Sequence, residues 1–396
     1  MILEWNKKPK LATWPSYSKE EINICKKILE SGKVNYWTGD NTKNFEKEFS
    51  EFFNLKYSVA MANGTLALHA AYSTLDYING DEIITTPRTF IATASAAVNL
   101  KLKPIFADVD LNSGNITADS IEKKITKKTK AISIVHIGGW PAEMDKICDL
   151  ARSYNLKVIE DCSQAHGATI NKKNVGSFGD LSCWSFCQDK IISTGGEGGM
   201  VSCNKEEYFK KIWSMKDHGK NLDLVFQKNN DNKFRWLHEN FGYNFRLTEM
   251  QSAIGRFQLK LLEEWNKIRN RNAEILIKEL SQLSVIRIPL PPKNYNHAWY
   301  KFYVYLNLKC LKKDWSRDRI IMSIKEYGYP AFQGGCSEIY LEKAFVKSGL
   351  APKDRLPNAK VLGETSLMFL IHPTITKKQM HKYAEIIQKV LFKAQN

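Results

Sequence analysis

Seven short apolar runs succeed one another between residues 57 and 203: "YSVAMA" (57–62), "DEIITT" (81–86), "KPIFADV" (103–109), "AISIVHI" (131–137), "LKVIED" (156–161), "LSCWSF" (181–186) and "GMVSC" (199–203). Helix-like stretches such as "TLALHAAYSTL" and "EMDKICDLARSYN" separate several of them. Strands of this kind, interleaved with helices, need apolar cover on both faces, and a largely parallel sheet between helix layers supplies it. The pattern therefore predicts an α/β domain. Ahead of it, "SKEEINICKKILESGK" reads as a helix with a Ser18/Glu21 capping box and Gly32 as its stop. From about residue 247 one long helical pattern follows, then "VIRIPLPP" and "WYKFYVYL" as strands and closing helices. For a chain of 396 residues this gives a large domain over 1–257 and a smaller C-terminal α+β domain over 258–396, joined by the long helix.

Composition removes other classes. No stretch reaches the roughly 18 apolar residues of a membrane span, and "MILEWNKKPKLATWPSYSKEE" has no signal-peptide core, so a cytoplasmic location is expected. The eight cysteines form no C-x-x-C pair and read as reduced thiols; no metal site is expected. The net charge of +16 is spread along the chain without a nucleic-acid motif, so no nucleic-acid partner is expected. It equally suits steering of a small anionic substrate.

Four features fall at strand ends, where open α/β sheets bind ligands. In "MANGTLALHAA" a helix starts at Gly64 and Thr65, offering N–H groups to a phosphate, although simple capping by Asn63 or Thr65 explains the same residues. In "KVIEDCSQAHGA" a strand delivers Asp161, which can hold a protonated ring nitrogen or merely cap a loop; His166 reads as structural. In "SFCQDKIISTGGEGGM", Lys190 stands in a strand-like apolar setting ahead of Gly195, Gly196, Gly198 and Gly199. It is a candidate nucleophile toward carbonyls, with Ser185 as an anion donor. In "TPRTFIATASAA", Phe90 can stack on a planar ring or staple the next helix. Together a phosphate cradle, an acid, an aromatic face and a lysine complement pyridoxal 5'-phosphate (PLP).

The chain resembles the DegT/DnrJ/EryC1/StrS family of PLP-dependent sugar aminotransferases over nearly its whole length, through blocks including "ANGTLALHAA", "TPRTFIATASAA", "IEDCSQAHGA", "TGGEGGM", "KDHGK" and "GYNFRLTEMQSAIGRFQL". The resemblance implies the type I, aspartate-aminotransferase-like fold with a mostly parallel seven-stranded sheet. It also implies roles. Lys190 would carry the cofactor and move the proton, Asp161 would pair with the pyridine nitrogen, and Gln164 would bond the ring oxygen. Phe90 would stack on the ring, and Gly64, Thr65 and Ser185 would bind the phosphate. Asn244 would reach the phosphate held by a neighbouring subunit, implying a homodimer with shared sites, and Arg246 would support its loop. The implied reaction moves an amino group from L-glutamate to a nucleotide-linked keto sugar in bacterial surface-polysaccharide biosynthesis. The variants "GGWPAEMD" and "FCQDK" resemble the enzymes that form dTDP-4-amino-4,6-dideoxyglucose. Other UDP- or GDP-linked keto sugars, aminated at C3 or C4, are the alternative. Sugar 3-dehydratases of the family have histidine at the lysine position, so Lys190 argues against that activity. A regulatory binding protein on this fold would be expected to have lost the cofactor residues.

Overall fold

The computed structural model describes residues 11–227 and 234–396. The first ten residues assigned to the large domain, and positions 228–233, lie outside the described residues.

All seven apolar runs form one sheet: β1 (Tyr57–Met61), β2 (Glu82–Thr85), β3 (Lys103–Phe106), β4 (Thr129–Val135), β5 (Lys157–Asp161), β6 (Leu181–Ser185) and β7 (Gly199–Cys203). The spatial order is β1-β7-β6-β5-β4-β2-β3. Strands β2 to β6 pair in parallel, whereas β7 runs antiparallel to both β1 and β6. Strand β1 therefore points the same way as β6, and six C-terminal ends share one edge of the sheet. Strand β7 starts at that edge, with Gly199 opposite both Met61 and Ser185.

Successive strand residues feed opposite layers, as the pleat requires. Cys183 joins the cluster under the Gly64–Ser73 and Glu206–Lys216 helices. Its neighbour Trp184 joins Phe45, Phe49 and Phe53 of the Asn41–Phe53 helix on the other face. Those three phenylalanines recur every fourth residue and are fully buried, each worth about 2 kcal/mol in removed apolar surface. Helix ends follow their signals. Ser18 and Glu21 form the capping box, and Gly32 ends that helix at φ 69°.

The long helix, Glu249–Leu280, starts at a Thr248 capping box. Its early residues Leu259 and Leu262 pack with the sheet, and its last turns, through Leu276 and Leu280, enter a separate C-terminal cluster. That cluster covers a three-stranded antiparallel sheet of Ile286–Arg287, Phe302–Leu306 and Ser366–Phe369. The C-terminal part also returns to the large sheet, where Ile339, Tyr340, Phe345 and Leu362 pack beside Ile84 and Ile132. Within residues 331–340, Ile339 and Tyr340 are thus core residues. Cys162, Cys183 and Cys203 are buried free thiols, whereas Cys187 lies beyond β6 and is only half-buried.

Candidate active site

The shared strand edge brings together Asn63–Thr65 after β1, Asp161 ending β5 and Ser185 ending β6. Asn63 extends into β geometry and its side chain accepts from Leu66 N, capping the Gly64–Ser73 helix. This leaves the N–H groups of the first turn for a ligand. A Cβ on Gly64 would stand 2.7 Å from Ser185 Cβ and 3.1 Å from its Oγ, so the bare residue lets the helix end and the serine close on one small volume. A Cβ on Gly199 would meet Asn63 O at 2.4 Å and Gly64 N at 2.9 Å. That glycine lets β7 run directly beside the start of the cradle. Gly195 and Gly196 adopt φ 81° and 124°, conformations that favour glycine, and form the turn back into β7.

Asp161 is 4% exposed. Its Oδ2 accepts from Thr93 Oγ1 at 2.8 Å and its Oδ1 from Ser163 N at 3.2 Å. A buried, oriented carboxylate is the group that stabilises a protonated ring nitrogen. Its neighbour Glu160 serves the fold instead. It accepts from Gly176, Phe178 and Gly179 N–H groups and pairs with His136 Nε2 at 3.1 Å. Ala142 N donates to His136 Nδ1, so that ring's proton lies on Nε2, facing the carboxylate. Gln164 Oε1 accepts from Gly138 N at 2.7 Å, which turns its amide N–H groups outward as donors. Phe90 is 69% exposed.

Lys190 lies in the turn beyond β6 rather than in a strand. Its Nζ is 3.3 Å from Asp189 Oδ1 and 3.4 Å from the Tyr300 hydroxyl. The Tyr300 hydroxyl also donates to Asp189 Oδ2. Burial raises the Asp189 pKa, but the Lys190 charge, the Tyr300 hydrogen bond and Lys301 outweigh it and hold the carboxyl below its ordinary value. Burial and then Asp189 push the Tyr300 phenol well above its ordinary value, so it keeps its proton. Burial drives Lys301 down to about 8, with Arg269 and Lys190 adding to the effect against Asp189. Arg269, 1% exposed, donates to the Trp299 and Tyr300 carbonyls. Trp14 Nε1 donates to the Lys190 carbonyl at 2.9 Å.

His166 is buried against Trp184 and Phe186, and neither ring nitrogen has a hydrogen-bond partner among the described residues. Asn244 pairs with Asp217 in an isolated bridge and is exposed. Arg246 donates to Asp217 Oδ1 at 3.0 Å and so braces the Asn244 loop. Asp189, Tyr300, Lys301, Arg269 and Trp14 are absent from the sequence-based set. Asp189 was adjacent to Lys190 and open to notice; Tyr300 carried no local signal. The cradle that a Cβ would fill, the buried acid, the amide donor and the lysine together fit PLP.

The sequence model of the DegT/DnrJ/EryC1/StrS aminotransferase family matches residues 15–388. An aminotransferase from Psychrobacter cryohalolentis superposes with a TM-score of 0.95 at 48% identity, covering 98% of this chain and 100% of that one. The UDP-N-acetyl-3-dehydro-alpha-D-glucosamine 3-aminotransferase of Acidithiobacillus ferrooxidans is 34% identical over 365 residues, 92% of each chain. The GDP-perosamine synthase of Escherichia coli O157:H7 is 36% identical over 282 residues, 71% of this chain and 73% of that one.

Proposed function

The chain belongs to the DegT/DnrJ/EryC1/StrS aminotransferase family and is a PLP-dependent nucleotide-sugar aminotransferase, and from that premise we propose that it moves the amino group of L-glutamate onto dTDP-4-keto-6-deoxy-D-glucose. The convergence of Lys190, Asp161 and the Gly64–Ser185 cradle on one sheet edge carries the catalytic half of this reading. The "GGWPAEMD" and "FCQDK" variants carry the sugar. The product, dTDP-4-amino-4,6-dideoxyglucose, would serve surface-polysaccharide biosynthesis in the cytoplasm; among the described residues no helix is long and apolar enough to cross a membrane.

PLP, when bound, supplies an electron sink for the carbon that loses its proton. The chain's residues supply the rest. Gly64 and Thr65 N–H groups with Ser185 Oγ would hold the phosphate. Asp161, kept in place by Thr93 and Ser163, keeps the ring nitrogen protonated. Gln164 would donate to the ring oxygen, and Phe90 would cover one ring face. Lys190 Nζ takes the proton from the substrate carbon and later returns it.

The enzyme works as a homodimer with shared sites, Asn244 reaching the partner's phosphate. Phe234, Trp236, Phe241 and Tyr243 are large, apolar and exposed in the stretch just before Asn244, a pattern that calls for a covering surface. A second reading keeps the chemistry and changes the sugar: the relatives named above act on UDP- and GDP-linked sugars, so a UDP- or GDP-linked keto sugar, aminated at C3 or C4, fits this site equally. Incubation with L-glutamate and a panel of dTDP-, UDP- and GDP-linked keto sugars, with product regiochemistry read by NMR, decides between them. Amination of the dTDP-4-keto sugar supports the first reading. Turnover confined to another nucleotide, or to C3, replaces it.

A further inference from the structure

We propose that Tyr300 and Asp189 form a docking station for the ε-amino group of Lys190, holding it beside the substrate carbon during the part of the cycle when it is detached from the cofactor. The inference rests on the aminotransferase reading and concerns what that reading leaves open, namely where the lysine goes once it is released.

The three groups form a closed ring. Nζ lies 3.3 Å from Asp189 Oδ1 and 3.4 Å from the Tyr300 oxygen, and that oxygen bonds Asp189 Oδ2. The directions of the bonds follow from the donors available. An ammonium has only donors, so Nζ donates to both oxygens. The tyrosine therefore gives its own proton to the second carboxylate oxygen. Each carboxylate oxygen thus has one partner, and the lysine has two acceptors from different parts of the fold.

The tyrosine end of the ring is rigid. Its carbonyl accepts from Arg269 Nη1 at 3.3 Å. The flanking residues pair with the 138–139 turn, Ala298 N to Gly139 O at 2.9 Å and Lys301 N to Gly138 O at 3.4 Å. That turn also gives Gly138 N to Gln164. A Cβ on Gly139 would meet Trp299 N at 3.0 Å and Tyr300 N and Gln164 O at 3.1 Å, so the glycine is what allows the two segments to touch. One turn consequently sets both the amide expected at the cofactor ring and the phenol at the lysine.

Packing alone does not account for this. A buried tyrosine needs one partner for its hydroxyl, and Asp189 alone would satisfy it. Turning the same oxygen toward Nζ is useful only while Nζ carries protons to donate. A lysine joined to the cofactor has no ammonium to offer, whereas a released lysine that has taken the substrate proton does. The C–H bond breaks, its electron pair stays on carbon, and the proton becomes the third N–H of Nζ. It leaves again when Nζ reprotonates the product side. Tyr300 and Asp189 accept hydrogen bonds throughout and exchange no proton of their own, so Tyr300 is a positioning residue.

The test is acylation of Lys190 in the full-length protein with N-hydroxysuccinimidyl acetate at pH 8, read by peptide mass spectrometry. It is run on cofactor-free chain and on enzyme converted to its amino form with L-glutamate. Tyr300→Phe and Asp189→Asn should each speed labelling of Lys190 about tenfold, the loss of one hydrogen bond to a charged group. In the loaded enzyme both should lower kcat about tenfold while leaving the cofactor absorbance intact and KM values within about twofold. Asp189→Glu should recover more activity than Asp189→Asn. Unchanged labelling rates in both variants, or unchanged kcat in both, overturn the proposal. Asp189 is half-exposed, so its variants carry the test if Tyr300→Phe fails to fold. Labelling of the cofactor-free chain does not depend on turnover, so this proposal and the aminotransferase reading fail separately.

Discussion

Thr93 Oγ1 donates to Asp161 Oδ2 across 2.8 Å, and both side chains are almost entirely buried. The hydroxyl fixes the carboxylate from the Ala92–Asn99 helix, and Thr89 Oγ1 lies 2.9 Å behind it. Thr93→Val keeps the shape and removes the donor. It should retain PLP and lower kcat about tenfold, since one hydrogen bond to a charged group is lost. Asp161→Asn should cost about a hundredfold or more in transamination with the cofactor still bound, because the phosphate contacts remain. Steady-state kinetics beside the cofactor absorbance checks both; unchanged turnover in Asp161→Asn removes its assigned role.

Gly64→Ala places a Cβ 2.7 Å from Ser185 Cβ. Ser185 is part of β6, so it has little room to withdraw. The cradle should open, and PLP should dissociate on dialysis at least about tenfold faster than from wild type. Ser185→Ala should weaken retention about tenfold by loss of one donor. Fluorescence titration of the cofactor-free chain with PLP measures both. Wild-type affinity in Gly64→Ala would place the phosphate elsewhere.

Acid should destabilise the fold once the pH falls below the ordinary histidine range. Burial drives His166, His297 and His372 from the ordinary 6.5 down to about 3, assisted at His166 by Lys190 and Arg269 and at His372 by Arg269 and Lys301. The unfolded chain takes up these protons near pH 6.5 and the folded chain only near 3. The contribution of these histidines is therefore full above pH 6.5 and falls between the two values, by about 1.4 kcal/mol per pH unit for each. The melting temperature should drop steeply from pH 7 to pH 5. His166→Phe should flatten the fall, since the ring sits against Trp184 and Phe186 and its nitrogens have no hydrogen-bond partner among the described residues. Melts across this range that stay level would contradict the assignment.

Glu249 should matter for stability rather than chemistry. Asp40 makes no side-chain cap for the Asn41–Phe53 helix. Glu249, from the first turn of the long helix, accepts instead from Asn41 N at 2.6 Å, Thr42 N at 2.9 Å and Thr42 Oγ1 at 2.7 Å. Removing a fully buried carboxylate that satisfies three donors should cost about 3 kcal/mol in Glu249→Ala. Denaturant unfolding measures this loss, and turnover per folded molecule should stay near wild type.

The large sheet was legible because each strand is a short apolar run, and Asp161, Ser185 and Gly64 were legible because they end strands or begin a helix. The direction of β7 was not: "GMVSC" carries no sign of polarity, and only its pairing with β1 and β6 reverses it. Lys190 read as strand-like because Ile191 and Ile192 follow it, yet those residues are buried under a turn. Tyr300 was out of reach for a different reason. It meets Lys190 across 110 positions of chain, by a path through the long helix and the 138–139 turn that no local pattern encodes. Trp14, bonded to the Lys190 carbonyl from 176 positions away, was hidden in the same way.

The central claim is that Lys190 carries the cofactor. Borohydride reduction of the purified holoenzyme, followed by proteolysis and mass spectrometry, should find the pyridoxyl group on the peptide containing Lys190, with the absorbance of the bound cofactor bleached. Lys190→Ala should show no such adduct and no transamination. A pyridoxyl group on any other lysine, or wild-type turnover in Lys190→Ala, would contradict the account.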